Sequence, residues 1–246
     1  MNKVVKHLTN NYLVLFIILY YAIGSYIFSN YYINEDYITK FINILTNQNL
    51  NLIFILPSFI LITSYVYKEL NNYNLILRFP SRTKYMKYVI KTLFKVNSII
   101  YLLIILITFI VTNLTPFSNI TIATLYNSTN LFIMISSIIK LWIYVIIFSL
   151  LTITLYFIFS RSSYANLLCF IIICLNYFSK YITGTYPILN YLFPKDYILD
   201  TNNIFKTLTI NNLTSALYFT ILLIIIIFIL IKTINNKQFL NEEGKE

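Results

Sequence analysis

The chain has 246 residues, of which 59% are hydrophobic and only 11% charged, with a formal net charge of +10. A soluble domain keeps its surface wet with about 25% charged residues, so this composition excludes an ordinary soluble protein. Runs of about 20 apolar residues suit the roughly 30 Å core of a bilayer. Six such runs leave no stretch for a separate soluble domain of about 100 residues.

Residues 1–11 carry Lys3, Lys6 and His7 ahead of an apolar run over 12–28. Charged start, apolar middle and the small residues Ala22, Gly24 and Ser25 imitate a secretory signal. The apolar run continues past Gly24, so an uncleaved first span is expected, with Val4, Val5 and Leu8 lying along the inner interface. An outer loop with Glu35, Asp36 and Lys40 follows. The second span covers about 50–67 and contains Pro57, which kinks a helix and frees a carbonyl.

The segment 68–95 concentrates charge as no other does. It holds Lys68, Arg78, Arg82, Lys84, Lys87, Lys91 and Lys95 against one acid, Glu69. Basic residues in short connections stay on the cytoplasmic side of a membrane, so this segment orients the chain. Leu70, Tyr73, Ile76 and Leu77 recur at helical spacing and predict a short amphipathic helix over 68–78. Pro80 ends it, because the residue before a proline is pushed out of helical geometry, and Ser81 suits the N-cap of a second helix. From there Lys84, Lys87, Lys91 and Lys95 step by 3, 4 and 4 along one helical stripe, with Met86, Val89, Ile90, Leu93 and Phe94 assigned to the other side. Nothing breaks this helix before the third span at about 96–111. The stripe suits anionic lipid headgroups or a partner, and the apolar Leu75, Ile76, Leu77 and Phe79 beside it need a cover.

No charge occurs between Lys95 and Lys140. The fourth run, 131–159, is too long for one upright crossing. With Arg161 as its inner end, counting back about 20 residues, or 30 Å, sets Lys140 and Trp142 at the outer boundary of a span over 141–159. The fifth span covers about 164–178. Cys169 and Cys174 within it stand about 140° apart on a helix, which argues for apolar filler rather than a disulfide or metal site. An outer hairpin over 180–213 is punctuated by Gly184, Pro187 and Pro194, and the sixth span covers about 216–231. Lys232 and Lys237 hold its end inside, so both termini are cytoplasmic.

Thirteen of the 18 basic residues then fall inside. That is the positive-inside pattern of a multi-pass membrane protein and not a nucleic-acid footprint. Lysine greatly outnumbers arginine, and Asn and Ile abound; we take this as AT-rich coding and a bacterial source. No span carries a buried acid or base of the kind that drives ion-coupled transport. There is no phosphate-binding glycine loop and no HExxH or GxSxG. Catalysis, cofactor and metal are therefore not expected in this chain.

The layout of six spans with a basic amphipathic segment after the second and a proline-punctuated outer hairpin after the fifth resembles ABC-2-type exporter permeases. The segment Leu77-Arg-Phe-Pro-Ser-Arg-Thr-Lys-Tyr is similar to the inner loop of small permeases in bacteriocin and peptide-toxin export or immunity systems. Tyr186-Pro-Ile-Leu-Asn-Tyr-Leu-Phe-Pro-Lys-Asp-Tyr resembles their outer hairpin. The resemblance implies an all-α membrane fold in the bacterial cell membrane and a second permease chain, alike or different. It implies an ATPase subunit dimer that binds ATP and Mg on this chain's behalf, docked on Glu69, Tyr73, Leu77, Arg78 and Arg82. Cargo would be an amphipathic peptide or a lipid-like molecule. Two alternatives stand beside it: the substrate-binding membrane subunit of an importer, and an immunity protein that binds toxin without transport.

Overall fold

A computed structural model describes residues 12–33, 35–70, 79–116, 128–159, 162–182 and 210–236. Every regular element among them is helical. We number the helices α1 (Tyr12–Ser29), α2 (Tyr37–Thr46), α3 (Leu56–Leu70), α4 (Arg82–Leu114), α5 (Ser128–Ile158), α6 (Ser162–Ile182) and α7 (Ile210–Asn236). Four stretches are long and apolar enough to cross a membrane: Tyr12–Tyr32, Asn51–Leu70, Arg82–Leu114 and Met134–Ile158. Shorter apolar stretches, Ser163–Leu175 and Thr220–Ile234, lie within α6 and α7. Residues 1–11, the segment 71–78 and most of the expected outer hairpin, 183–209, lie outside the described residues.

Helix α5 is the centre of the bundle. It packs against α2, α3, α4, α6 and α7, and from Leu141 to Phe157 nearly every side chain is buried. A helix that is apolar all round has no wet face to offer, and α5 has almost none to offer anything but protein. Helix α1 is the opposite case. It packs on α4 and leaves Leu15, Phe16, Leu19, Ile23 and Ile27 exposed.

The expected outer loop after the first span is instead a helix, and this is a correction. Asp36 sits in extended geometry and its carboxylate accepts from the Thr39 amide at 3.3 Å, capping α2. Ile38, Phe41, Ile42 and Leu45 are buried on its inward face, at the spacing of an amphipathic helix. Pro57 also acts differently from a bare kink. A π-helical turn, Asn51–Ile55, runs into α3, with the Leu56 amide bonded to the Asn51 carbonyl. Proline offers no amide to the carbonyl four residues back, and the widened turn takes up that mismatch. Ser58 Oγ donates to the neighbouring Phe54 carbonyl at 2.5 Å.

Helix α4 bears out the N-cap at Ser81: its hydroxyl accepts from the Lys84 amide at 3.3 Å. The helix then runs 33 residues without a break, about 50 Å. Its register with α5 corrects two expectations. Trp142 Nε1 donates to Ser98 Oγ at 3.2 Å, and Tyr101 OH donates to the Ile138 carbonyl at 2.7 Å. The helices are thus antiparallel, with Lys140 level with Ile100. That places Lys140 and Trp142 about 21 and 24 Å from the Leu114 end of α4, not beside it. Phe94 is also not on the buried side. It is 45% exposed and packs edge-on against Trp142, with centroids 5.0 Å apart.

Candidate functional site at the basic end of the bundle

The end of α3 and the start of α4 are held side by side. Tyr85, fully buried, reaches from α4 to donate to the Leu70 carbonyl at 3.3 Å, and so satisfies one of the orphan carbonyls at the end of α3. Phe79, just before the cap, packs on Tyr85 and Tyr88 with centroids 5.7 and 5.1 Å away. The end of α3 and the start of α4 therefore meet at one place, with Glu69 on one side and Arg82 on the other.

Of the residues expected to meet a partner, Glu69 is exposed in the last turn of α3 and Arg82 is exposed at the first position of α4. Tyr73, Leu77 and Arg78 lie outside the described residues. Lys84, Lys87 and Lys91 are exposed on the outward side of α4, whereas Lys95 is half-buried. Lys68 is exposed beside Glu69, and Lys232 is exposed near the end of α7.

A layer of polar and aromatic side chains, which sequence reasoning missed, backs this end. Tyr67 stacks on Tyr156 at 4.7 Å and nearly parallel. The Tyr156 hydroxyl donates to Asn166 Oδ1, and Asn166 Nδ2 lies 3.5 Å from Ser64 Oγ. One asparagine thus joins α3, α5 and α6. One turn away, Thr152 and Cys169 meet at 3.1 Å across α5 and α6. A polar residue that interrupts each apolar run was the available signal.

The opposite end holds a second cluster missed in the sequence. Lys40, fully buried on α2, donates to the Pro116 carbonyl at 2.8 Å. Glu35 accepts from Asn43 Nδ2 at 2.6 Å, Asn47 donates to Tyr32 OH at 2.9 Å, and Asn113 donates to Tyr37 OH at 3.1 Å. Burial pushes the Glu35 carboxyl up; the Asn43 bond opposes this, nearby Asp36 adds to it and Lys40 opposes it. Burial pushes the Lys40 ammonium down, partly offset by Glu35. These groups tie α2 to the ends of α1 and α4, a structural task that their bonds already account for.

Among the described residues no group of three or more His, Cys, Asp or Glu is placed to hold a metal ion. Cys169 and Cys174 are both free thiols. Set against known proteins, the chain matches no family model, no curated protein and no solved structure.

Proposed function

We propose that the chain is the membrane subunit of an ATP-driven exporter of the ABC-2 type. In this reading it crosses the bacterial cell membrane six times, on α1, α3, α4, α5, α6 and α7, with both termini cytoplasmic. The observation that carries the reading is the meeting of two helix ends at the basic end. Two long helices are pinned together by Tyr85 and Leu70, and exposed Glu69 and Arg82 stand at the two ends that meet there. Two helices tied together at their ends, joined by a short sequence that is both charged and apolar, suit a mechanical contact with a motor subunit. Charged partners there would pair with Arg78 and Arg82, whose forked donors match carboxylates.

In this reading ATP and Mg are bound by an ATPase dimer, the pathway is completed by a second permease chain, and the cargo is an amphipathic peptide or lipid-like molecule. The test is co-purification in a mild detergent of the chain with an ABC-type ATPase from the cells that make it. Retention in the wild type and its loss in Arg78→Glu/Arg82→Glu support the reading. An ATPase that never co-purifies, or one indifferent to the charge reversal, overturns it. Labelling of a cysteine placed at Lys84 from outside intact cells would overturn the orientation.

A further inference from the structure

The outward face of α4 changes chemistry once along its length, and the change is sharp. From the cap, its exposed positions are Arg82, Thr83, Lys84, Lys87 and Lys91; from there on they are Phe94, Ile99, Leu102, Leu106, Phe109, Ile110, Asn113 and Leu114. At 100° per residue, Lys84, Lys91, Leu102 and Phe109 fall within about 20° of one line along the helix. The same face is therefore cationic for its first three turns and then apolar. From Phe94 to Leu114 is 20 residues, about 30 Å, which is the thickness of a bilayer's hydrocarbon core.

Trp142, the only tryptophan of the chain, stands at this change. It is half-buried, packs edge-on against Phe94 and donates to Ser98. Tryptophan concentrates where hydrocarbon gives way to headgroups. Helix α5 agrees with the same level. Its exposed apolar residues Leu131, Ile135 and Ile139 face out on the Leu114 side of Trp142, and on the other side the helix exposes no large apolar side chain until its last residue, Ile158. Helix α6, on another side of the bundle, exposes Tyr164, Leu167 and Phe170 near the level of Asn166, which a bundle tilted in the bilayer accommodates.

We infer that Lys84, Lys87 and Lys91 form a binding site for the headgroups of anionic phospholipids, at a membrane boundary that crosses α4 between Lys91 and Phe94. Lipid is favoured over an acidic protein because the stripe is collinear with the apolar face and begins within one turn of it. Lys91 there rests its methylenes on hydrocarbon and raises its ammonium to the phosphate level, while Lys87 and Lys84, about 10 and 15 Å from Phe94 along the axis, add their charge from the headgroup side. The inference rests on membrane insertion alone and is independent of the export reading.

Trp142 supplies the assay, since bromine on lipid acyl chains quenches indole fluorescence at contact. The whole chain is reconstituted in mixed vesicles in which either the phosphatidylglycerol or the phosphatidylcholine is brominated. The expected result is a preference of about fivefold or more for phosphatidylglycerol around Trp142, from about a fivefold effect per lysine at the surface. High salt weakens it, and Lys84→Gln/Lys87→Gln/Lys91→Gln abolishes it while leaving quenching by phosphatidylcholine intact. Equal quenching by both lipids in the wild type overturns the site, as does a triple variant that keeps the preference. If neither lipid quenches, both the boundary and the membrane reading fall. If the preference is absent but the triple variant loses its ATPase, the stripe belongs to a protein surface and the lipid site is overturned.

Discussion

Gly24 offers a measurement whose sign depends on one neighbour. No glycine among the described residues has positive φ, so Gly24 is not required by its backbone. It is required by space. A Cβ built there would lie 2.7, 2.7 and 2.9 Å from three carbons of the Phe54 ring, a ring that also packs on Tyr20 with centroids 4.2 Å apart. Ordinary contact begins at 3.4 Å, so Gly24→Ala obliges Phe54 to retreat by about 0.7 Å. Overpacking of this kind costs about 1–3 kcal/mol, while alanine gains about 1 kcal/mol over glycine inside a helix. Alone, Gly24→Ala should therefore destabilise by up to about 2 kcal/mol. In a Phe54→Ala background the obstruction is gone and the same substitution should stabilise by up to about 1 kcal/mol. The double-mutant cycle is read by thermal unfolding in detergent, where 1 kcal/mol moves Tm by about 2–4 °C in a chain of this size. A Gly24→Ala effect of equal sign and size in both backgrounds would refute the packing argument and with it the contact of α1 with the π-helical turn before α3.

Two more outcomes follow from buried polar groups. The Glu35 carboxyl is raised above its ordinary value of 4.5, so its contribution to stability is fully present below that value and is lost as pH rises through the folded-state value. Glu35→Gln should flatten this fall in a series of Tm against pH; a series as steep as the wild type's would show that another group carries the slope. Asn97 is buried to 1% exposure with neither atom of its amide partnered. An unsatisfied buried amide costs about 1–3 kcal/mol, so Asn97→Leu should raise Tm by several degrees, and a lowered Tm would refute that assignment.

The local signals of the sequence were legible because each depends on a few neighbouring residues. Ser81 caps α4 because Pro80 stops the chain before it and the Lys84 amide lies within reach. Helix α2 carried the same kind of signal, Asp36 followed by Ile38, Phe41, Ile42 and Leu45. A connection between two apolar runs can hold a fold of its own, and the capped, amphipathic spacing here marks one. Phe94 lies three residues from Lys91, a spacing that keeps it on the lysine side and not with Met86, Val89 and Leu93. Both were available from the residues.

The register of α5 against α4 was not available, and the reason is physical. Aqueous proteins betray their inner faces because water rejects leucine, but lipid tails are as apolar as leucine and reject nothing. The buried run Leu141–Phe157 and the exposed face of α1 are therefore written in the same residues. What distinguishes them is the scatter of small and polar side chains, which lipid does reject and which must find protein. Tyr21 donates to Thr108 at 2.7 Å, since the Thr108 hydroxyl is itself spent on the Ile104 carbonyl, and this fixes α1 on α4. Ser98 receives Trp142, Thr152 meets Cys169, and Asn166 joins Tyr156 to Ser64. Gly24 admits Phe54. Each of these interruptions sits where two helices touch, so in this chain the polar and small residues set the packing and the apolar majority only permits it.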